Sequence, residues 1–220
     1  MKNKINPALF ILLSFLFTCV DITAQPFIED IRAFKKQDSI HMPAKKQILF
    51  IGSSSFTMWK DVQQYFPGYK IINRGFGGST LPDVIRYTKD IIIPYQPKQV
   101  VIYCGDNDLA SSDTVSPQHV LQRFKTLFEL IRKDLPLVTI SYVAIKPSPS
   151  RAHLLPKMYE ANSLVKTFLK TQKNASFIDV FTPMMVNKKP RTDIFLEDNL
   201  HMNKAGYRIW QKTIRPYLLK

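Results

Sequence analysis

The sequence predicts an α/β protein, a parallel sheet with helices on both of its faces. Three observations carry that prediction. Five short apolar segments, rich in Val, Ile, Tyr or Phe, recur along the chain, each followed by turn residues. Helical patterns fall between them, and strands that alternate with helices build parallel sheets through right-handed crossovers. The first segment, Ile48-Leu49-Phe50-Ile51, is continuously apolar rather than alternating, as suits an interior strand covered on both faces.

Taken in order, the chain opens with Lys2 and Lys4, an apolar run from about Ala8 to Val20, and Asp21-Ile22-Thr23-Ala24. The run of about 13 residues falls short of the ~20 that span a bilayer, and its layout is that of a secretory signal peptide over residues 1–24. Cleavage after Ala24 makes Gln25 the mature N-terminus, and Cys19 offers a lipoprotein anchor as the alternative. Both routes predict an exported, periplasmic or extracellular protein with no stable membrane span. Residues 25–220 then form one domain of ordinary size, without repeat or linker.

Within that domain the strands are expected at 48–51, 69–72, 99–103, 137–143 and 176–180. The clearest helix opens with Ser116 as cap and Pro117 at its first position. It sets Val120, Leu121, Phe124, Leu127, Phe128 and Ile131 on one face. Two more helices are expected at 155–171 and 203–218, and weaker ones at 27–36, 58–65 and 82–91. Pro147 and Pro149 stiffen the loop after the fourth strand, and 188–193 reads as a polar loop.

The formal charge is +14. Its lysines and arginines are spread along the chain, with no stripe of bases interleaved with aromatics, so a solvated basic surface is expected and a nucleic-acid partner is not. Of the two cysteines only Cys104 lies beyond residue 24, which excludes an internal disulfide framework and a Cys-x-x-Cys or Cys/His metal site. In its apolar run Cys104 is expected to be a small buried hydrophobe. No residue set calls for a metal or a cofactor.

Three strands end in chemistry-bearing turns: Gly52-Ser53-Ser54-Ser55, Asn73-Arg74-Gly75-Phe76-Gly77-Gly78, and Gly105-Asp106-Asn107-Asp108. In a parallel sheet such ends lie side by side, where ligands and chemistry collect. The glycine stretch lacks a complete G-x-G-x-x-G and a phosphate-loop lysine. The Asp106 stretch has Ser111 and Pro117 where a calcium loop needs Gly and Glu. A serine nucleophile needs a base, and an oriented imidazole needs a carboxylate on its other nitrogen. Among the four histidines, His41 and His201 each have an aspartate three residues earlier, Asp38 and Asp198. The later pair is favoured, because the loop into the last helix lies near the catalytic edge of such a sheet.

Together, Gly52-Ser53-Ser54, the glycine at the end of strand two, Gly105-x-Asn107-Asp108 and Asp198-x-x-His201 resemble the four ordered blocks of the SGNH (GDSL-type) hydrolases, over roughly residues 47–210. Trp59, Leu109 after Gly105-Asp106-Asn107-Asp108, and the segment Ile145 to Arg151 look closer to a bacterial exported GDSL-like lipase/acylhydrolase branch. The resemblance implies a three-layer α/β/α, flavodoxin-like fold with a five-stranded parallel sheet ordered 2-1-3-4-5. It implies Ser54 as nucleophile, His201 as base and Asp198 as its orienting partner. It also implies an oxyanion hole of the Ser54 amide, the Gly78 amide and the Asn107 side chain. Ser53 stands where the family usually has Asp. Asp108, Lys146 and Arg151 are candidate substrate contacts. The expected activity is hydrolysis of acyl or O-acetyl esters of a lipid or carbohydrate through an acyl-enzyme. The alternative is a silent binding module on the same fold for envelope polysaccharide or lipid.

Overall fold

The computed structural model describes residues 25–220, so the signal-peptide and Cys19 expectations lie outside the described residues. The chain runs α1 (Ile28–Ile40), β1 (Ile48–Gly52), α2 (Ser54–Thr57), α3 (Val62–Tyr65), β2 (Ile71–Gly75), α4 (Leu81–Arg86) and α5 (Thr88–Ile91). It continues through β3 (Gln99–Tyr103), α6 (Asp106–Ser111), α7 (Pro117–Asp134), β4 (Thr139–Val143), α8 (Leu155–Lys170) and β5 (Ala175–Ile178). A two-stranded hairpin, β6 (Met185–Val186) and β7 (Lys189–Pro190), and α9 (Lys204–Ile214) complete it. The main sheet has five strands in the order β2-β1-β3-β4-β5. Every neighbouring pair in it is parallel.

Successive side chains of a strand point to opposite faces, and the core is divided accordingly. Leu49, Ile51, Val100, Ile102, Ile140 and Tyr142 face one layer with Val84, Phe124, Leu127 and Val165 from α4, α7 and α8. Ile48, Phe50, Val101 and Tyr103 face the other, with Phe56, Val62 and Trp210 from α2, α3 and α9. Each large apolar side chain fully buried this way contributes about 1.5–3 kcal/mol. Helix α7 starts where the sequence places it: Ser116 Oγ accepts from the His119 amide and Pro117 occupies the first turn.

Several elements depart from the sequence-based expectation. Strand β2 extends through Asn73 and Arg74, which read as turn residues because they are polar. On this edge strand Asn73 Nδ2 donates to the Phe56 carbonyl at 2.7 Å, and Arg74 donates to Asp38 at 2.5 Å and to Tyr95 Oη at 2.6 Å. Of the expected 58–65 helix only α3 forms, with α2 lying ahead of it; the 82–91 helix is divided into α4 and α5, α6 is an added helix, and the 188–193 loop contains β7.

Candidate active site

The turn that carries the candidate nucleophile is made by one glycine. Gly52 closes β1 at φ +127°, and a Cβ there would lie 1.9 Å from the Tyr103 carbonyl oxygen. Only glycine lets the strand pass this close to β3 and then swing into α2. Ser53 becomes the cap of α2 and Ser54 its first residue. Ser53 and Ser55 are buried, whereas Ser54 is partly exposed, so of these three serines only Ser54 opens to solvent.

The candidate base, His201, arrives on a tight turn between β7 and α9. Phe195 and Met202 pair as an isolated antiparallel bridge, and the Leu196 amide donates to the His201 carbonyl at 2.7 Å. Asn203 fixes this turn to the helix: its Oδ1 caps the Ala205 amide at 2.8 Å and its Nδ2 donates to the Asp193 carbonyl at 2.9 Å. His201 Nε2 then lies 3.1 Å from Ser54 Oγ, across 147 residues of sequence. Its Nδ1 lies 2.6 Å from Asp198 Oδ2. A carboxylate only accepts, so Nδ1 carries the proton and Nε2 presents its lone pair to the Ser54 hydroxyl. Burial raises the Asp198 carboxyl, but hydrogen bonds from the His201 and Leu200 amides and from the imidazole more than offset it and bring it to about 2. The other Asp/His pair is not assembled this way. Asp38 is tied to Arg74 and Tyr95, anchoring α1, and His41 is an exposed residue at the end of that helix.

Two candidate oxyanion donors converge. The Ser54 amide donates to Ser53 Oγ at 2.6 Å, and Asn107 Nδ2 donates to the same oxygen at 3.0 Å. That buried hydroxyl marks where the two N–H groups meet. The glycine loop runs alongside, since a Cβ on Gly77 would come within 3.9 Å of Ser54 Cβ. Gly78 follows at φ +83°, a backbone state that favours glycine, and is exposed.

Burial corrects two of the candidate substrate contacts, Asp108 and Lys146. Asp108 is fully buried and bonds the Leu81 amide at 2.9 Å and Arg123 at 2.7 Å, holding the start of α4 rather than facing the crevice. Its burial pushes the carboxyl up despite those bonds. Lys146 is also buried, with Nζ 3.1 Å from Asp106 Oδ2 and 3.3 Å from Tyr103 Oη. Arg151 turns toward Asp106 and Asn107, at 2.6 and 3.0 Å. Charge in an otherwise apolar segment looks solvent-facing in sequence, while here two long cationic stems run inward to a buried carboxylate.

The family model of the GDSL-like lipase/acylhydrolase family matches residues 52–209, most of the chain, from the nucleophile turn to α9. The chain belongs to the GDSL-like lipase/acylhydrolase family. It is accordingly an esterase-type hydrolase. No curated protein matches the sequence. Solved structures share the fold at low identity. A structure from Streptococcus pneumonia named for platelet activating factor is 21% identical, with TM-score 0.75, and covers 87% of this chain and 92% of its own. A GDSL-like lipase from Bacteroides thetaiotaomicron is 20% identical, with TM-score 0.71, covering 85% and 96%. Axe2, an acetyl-xylooligosaccharide esterase from Geobacillus, is 18% identical, with TM-score 0.63, covering 80% and 96%.

Two supporting contacts of this candidate site have no sequence signal. The Ser79 carbonyl accepts from Asn107 Nδ2 at 3.0 Å, and a backbone oxygen carries no residue identity to read. Ser150 donates from both its amide and its hydroxyl to the Asn199 carbonyl, at 3.1 and 2.9 Å, joining the proline loop to the histidine turn.

Proposed function

We propose that the protein hydrolyses carboxylic esters through a Ser54–His201–Asp198 triad and an acyl-enzyme. The observation that carries this reading is the 3.1 Å contact of His201 Nε2 with the partly exposed Ser54 hydroxyl, backed by Asp198 on Nδ1. As Ser54 Oγ attacks the ester carbonyl, its proton passes to Nε2 and the carbonyl oxygen becomes an oxyanion. The Ser54 amide and Asn107 Nδ2, which already converge on one oxygen, supply donors there, and the Gly78 amide is the third. The imidazolium then gives its proton to the departing alkoxide, leaving Ser54 acylated and the alcohol free. Water, deprotonated by His201, attacks the acyl-enzyme and releases the acid. Asp198, held ionised by its amide donors, stabilises the imidazolium in both half-reactions.

In this reading the substrates are acyl or O-acetyl esters of a lipid or carbohydrate, met outside the cytoplasm because the N-terminal layout is that of an export signal. A panel of 4-nitrophenyl esters of increasing chain length tests the reading, with Ser54→Ala as control. The wild type turns over at least one ester class, and Ser54→Ala loses roughly 10⁴- to 10⁶-fold in kcat. Wild-type rates in Ser54→Ala would refute the nucleophile. A folded wild type that turns over none of the panel would instead favour the silent binding module.

A further inference from the structure

Resting on that reading, we infer that Arg151 is a positioning residue for the oxyanion hole: it fixes the Asn107 carboxamide from behind and places positive charge across that amide, two hydrogen bonds from the developing oxyanion. The amide orientation is determined by two partners that each have a single chemistry. A guanidinium only donates, so Arg151 Nη2, at 3.0 Å, must face Oδ1. A backbone carbonyl only accepts, so Ser79 O, at 3.0 Å, must face Nδ2. A flipped amide would set oxygen against oxygen and donor against donor. The remaining Nδ2 hydrogen is thereby aimed at Ser53 Oγ, beside the Ser54 amide.

Arg151 is itself anchored. Its Nη1 lies 2.6 Å from Asp106 Oδ1, and the other oxygen of that buried carboxylate pairs with Lys146 at 3.1 Å. Burial pushes the Asp106 carboxyl up, but Lys146 and Arg151 together bring it below the ordinary carboxylate value, so it remains an anion. Two cations share one carboxylate, and the cluster keeps a surplus of positive charge in a water-poor place where charge acts strongly. Asn107 donates from a neutral group whose carbonyl end is polarised by a cation. The segment carrying Arg151 is bonded through Ser150 to Asn199, beside the histidine turn, so the hole and the base share one support. Asp106 keeps Lys146 when Arg151 is removed, so the variant leaves no orphaned buried anion.

The test is a double-mutant cycle on kcat and KM for a 4-nitrophenyl ester, using wild type, Arg151→Gln, Asn107→Ala and the double variant. Arg151→Gln is expected to lower kcat roughly 10- to 100-fold with KM changed less than about threefold, within the ~10²- to 10³-fold ceiling expected for losing an oxyanion donor outright. In the Asn107→Ala background the same substitution should cost less than about threefold, because its target is gone. Equal losses in both backgrounds, or a raised KM with kcat unchanged, would overturn the inference. If Arg151→Gln does not fold, Arg151→Lys enters the same cycle, since one ammonium cannot span Asp106 and Asn107 as the guanidinium fork does. An additive cycle in an enzyme that Ser54→Ala inactivates sinks only the Arg151 role. Activity that survives Ser54→Ala sinks this inference and the triad together.

Discussion

At the scale of single residues, the site depends on which oxygen is open and which is buried. Three adjacent serines are chemically alike, yet only Ser54 reaches both solvent and His201. Sequence order and family blocks pointed to Ser54, His201 and Asp198, which the fold brings within hydrogen-bond distance of one another. They could not give the roles of Asp108, Lys146 and Arg151, because an isolated acid or base in a string of letters carries no sign of what it faces. Asp198 yields a pH prediction. Its folded value of about 2 lies below the ordinary 3.8, so the fold favours the ionised form. That contribution is complete above the ordinary value and is lost as pH falls through about 2. The kcat/KM profile should therefore show no inflection from this group above about pH 4, while Asp198→Asn lowers kcat/KM roughly 10²- to 10⁴-fold at its optimum by unsettling the imidazole. A variant of wild-type activity would remove Asp198 from the mechanism.

At the scale of elements, the turn after β1 is the most constrained point. A continuous apolar run ending at glycine was readable because an interior strand needs no polar face and a sharp exit needs no Cβ. The close approach of Gly52 to Tyr103 gives that glycine its necessity. Gly52→Ala should destabilise the protein by at least about 2 kcal/mol through backbone strain and collision, seen as a lower urea midpoint. An unchanged midpoint would mean that the turn relaxes freely. The limits of sequence reading also show in the elements. Strand β2 keeps Asn73 and Arg74 in register because partners from α1, α2 and the Tyr95 turn satisfy them. Those partners are distant in sequence, so the residues looked like punctuation. Helix α6 was hidden for the same reason, its first turn carrying Asp106 and Asp108, each neutralised by a cation from elsewhere.

At the scale of the molecule, the fold class follows from alternation of strands and helices, whereas the strand order does not. Nothing in the spacing says that β3, rather than β2, lies across β1 from the edge; the order came with the family resemblance and the sheet has it. That order matters for function. It sets β1 between β2 and β3, so the ends carrying Ser54, the glycine loop and Asn107 become neighbours. The Asp198–His201 turn then needs only to fold over that edge from α9, whose Trp210 and Tyr207 pack on Trp59. The whole arrangement converges on one hydroxyl, that of Ser54, with the His201 imidazole of a turn far away in sequence 3.1 Å from it. The most direct measurement is peptide mass mapping after labelling with a serine-reactive fluorophosphonate, on wild type and His201→Ala. A single adduct on Ser54 in the wild type is expected, with labelling at least about 100-fold slower without His201. An adduct on another residue, or equal rates in the two proteins, would contradict it.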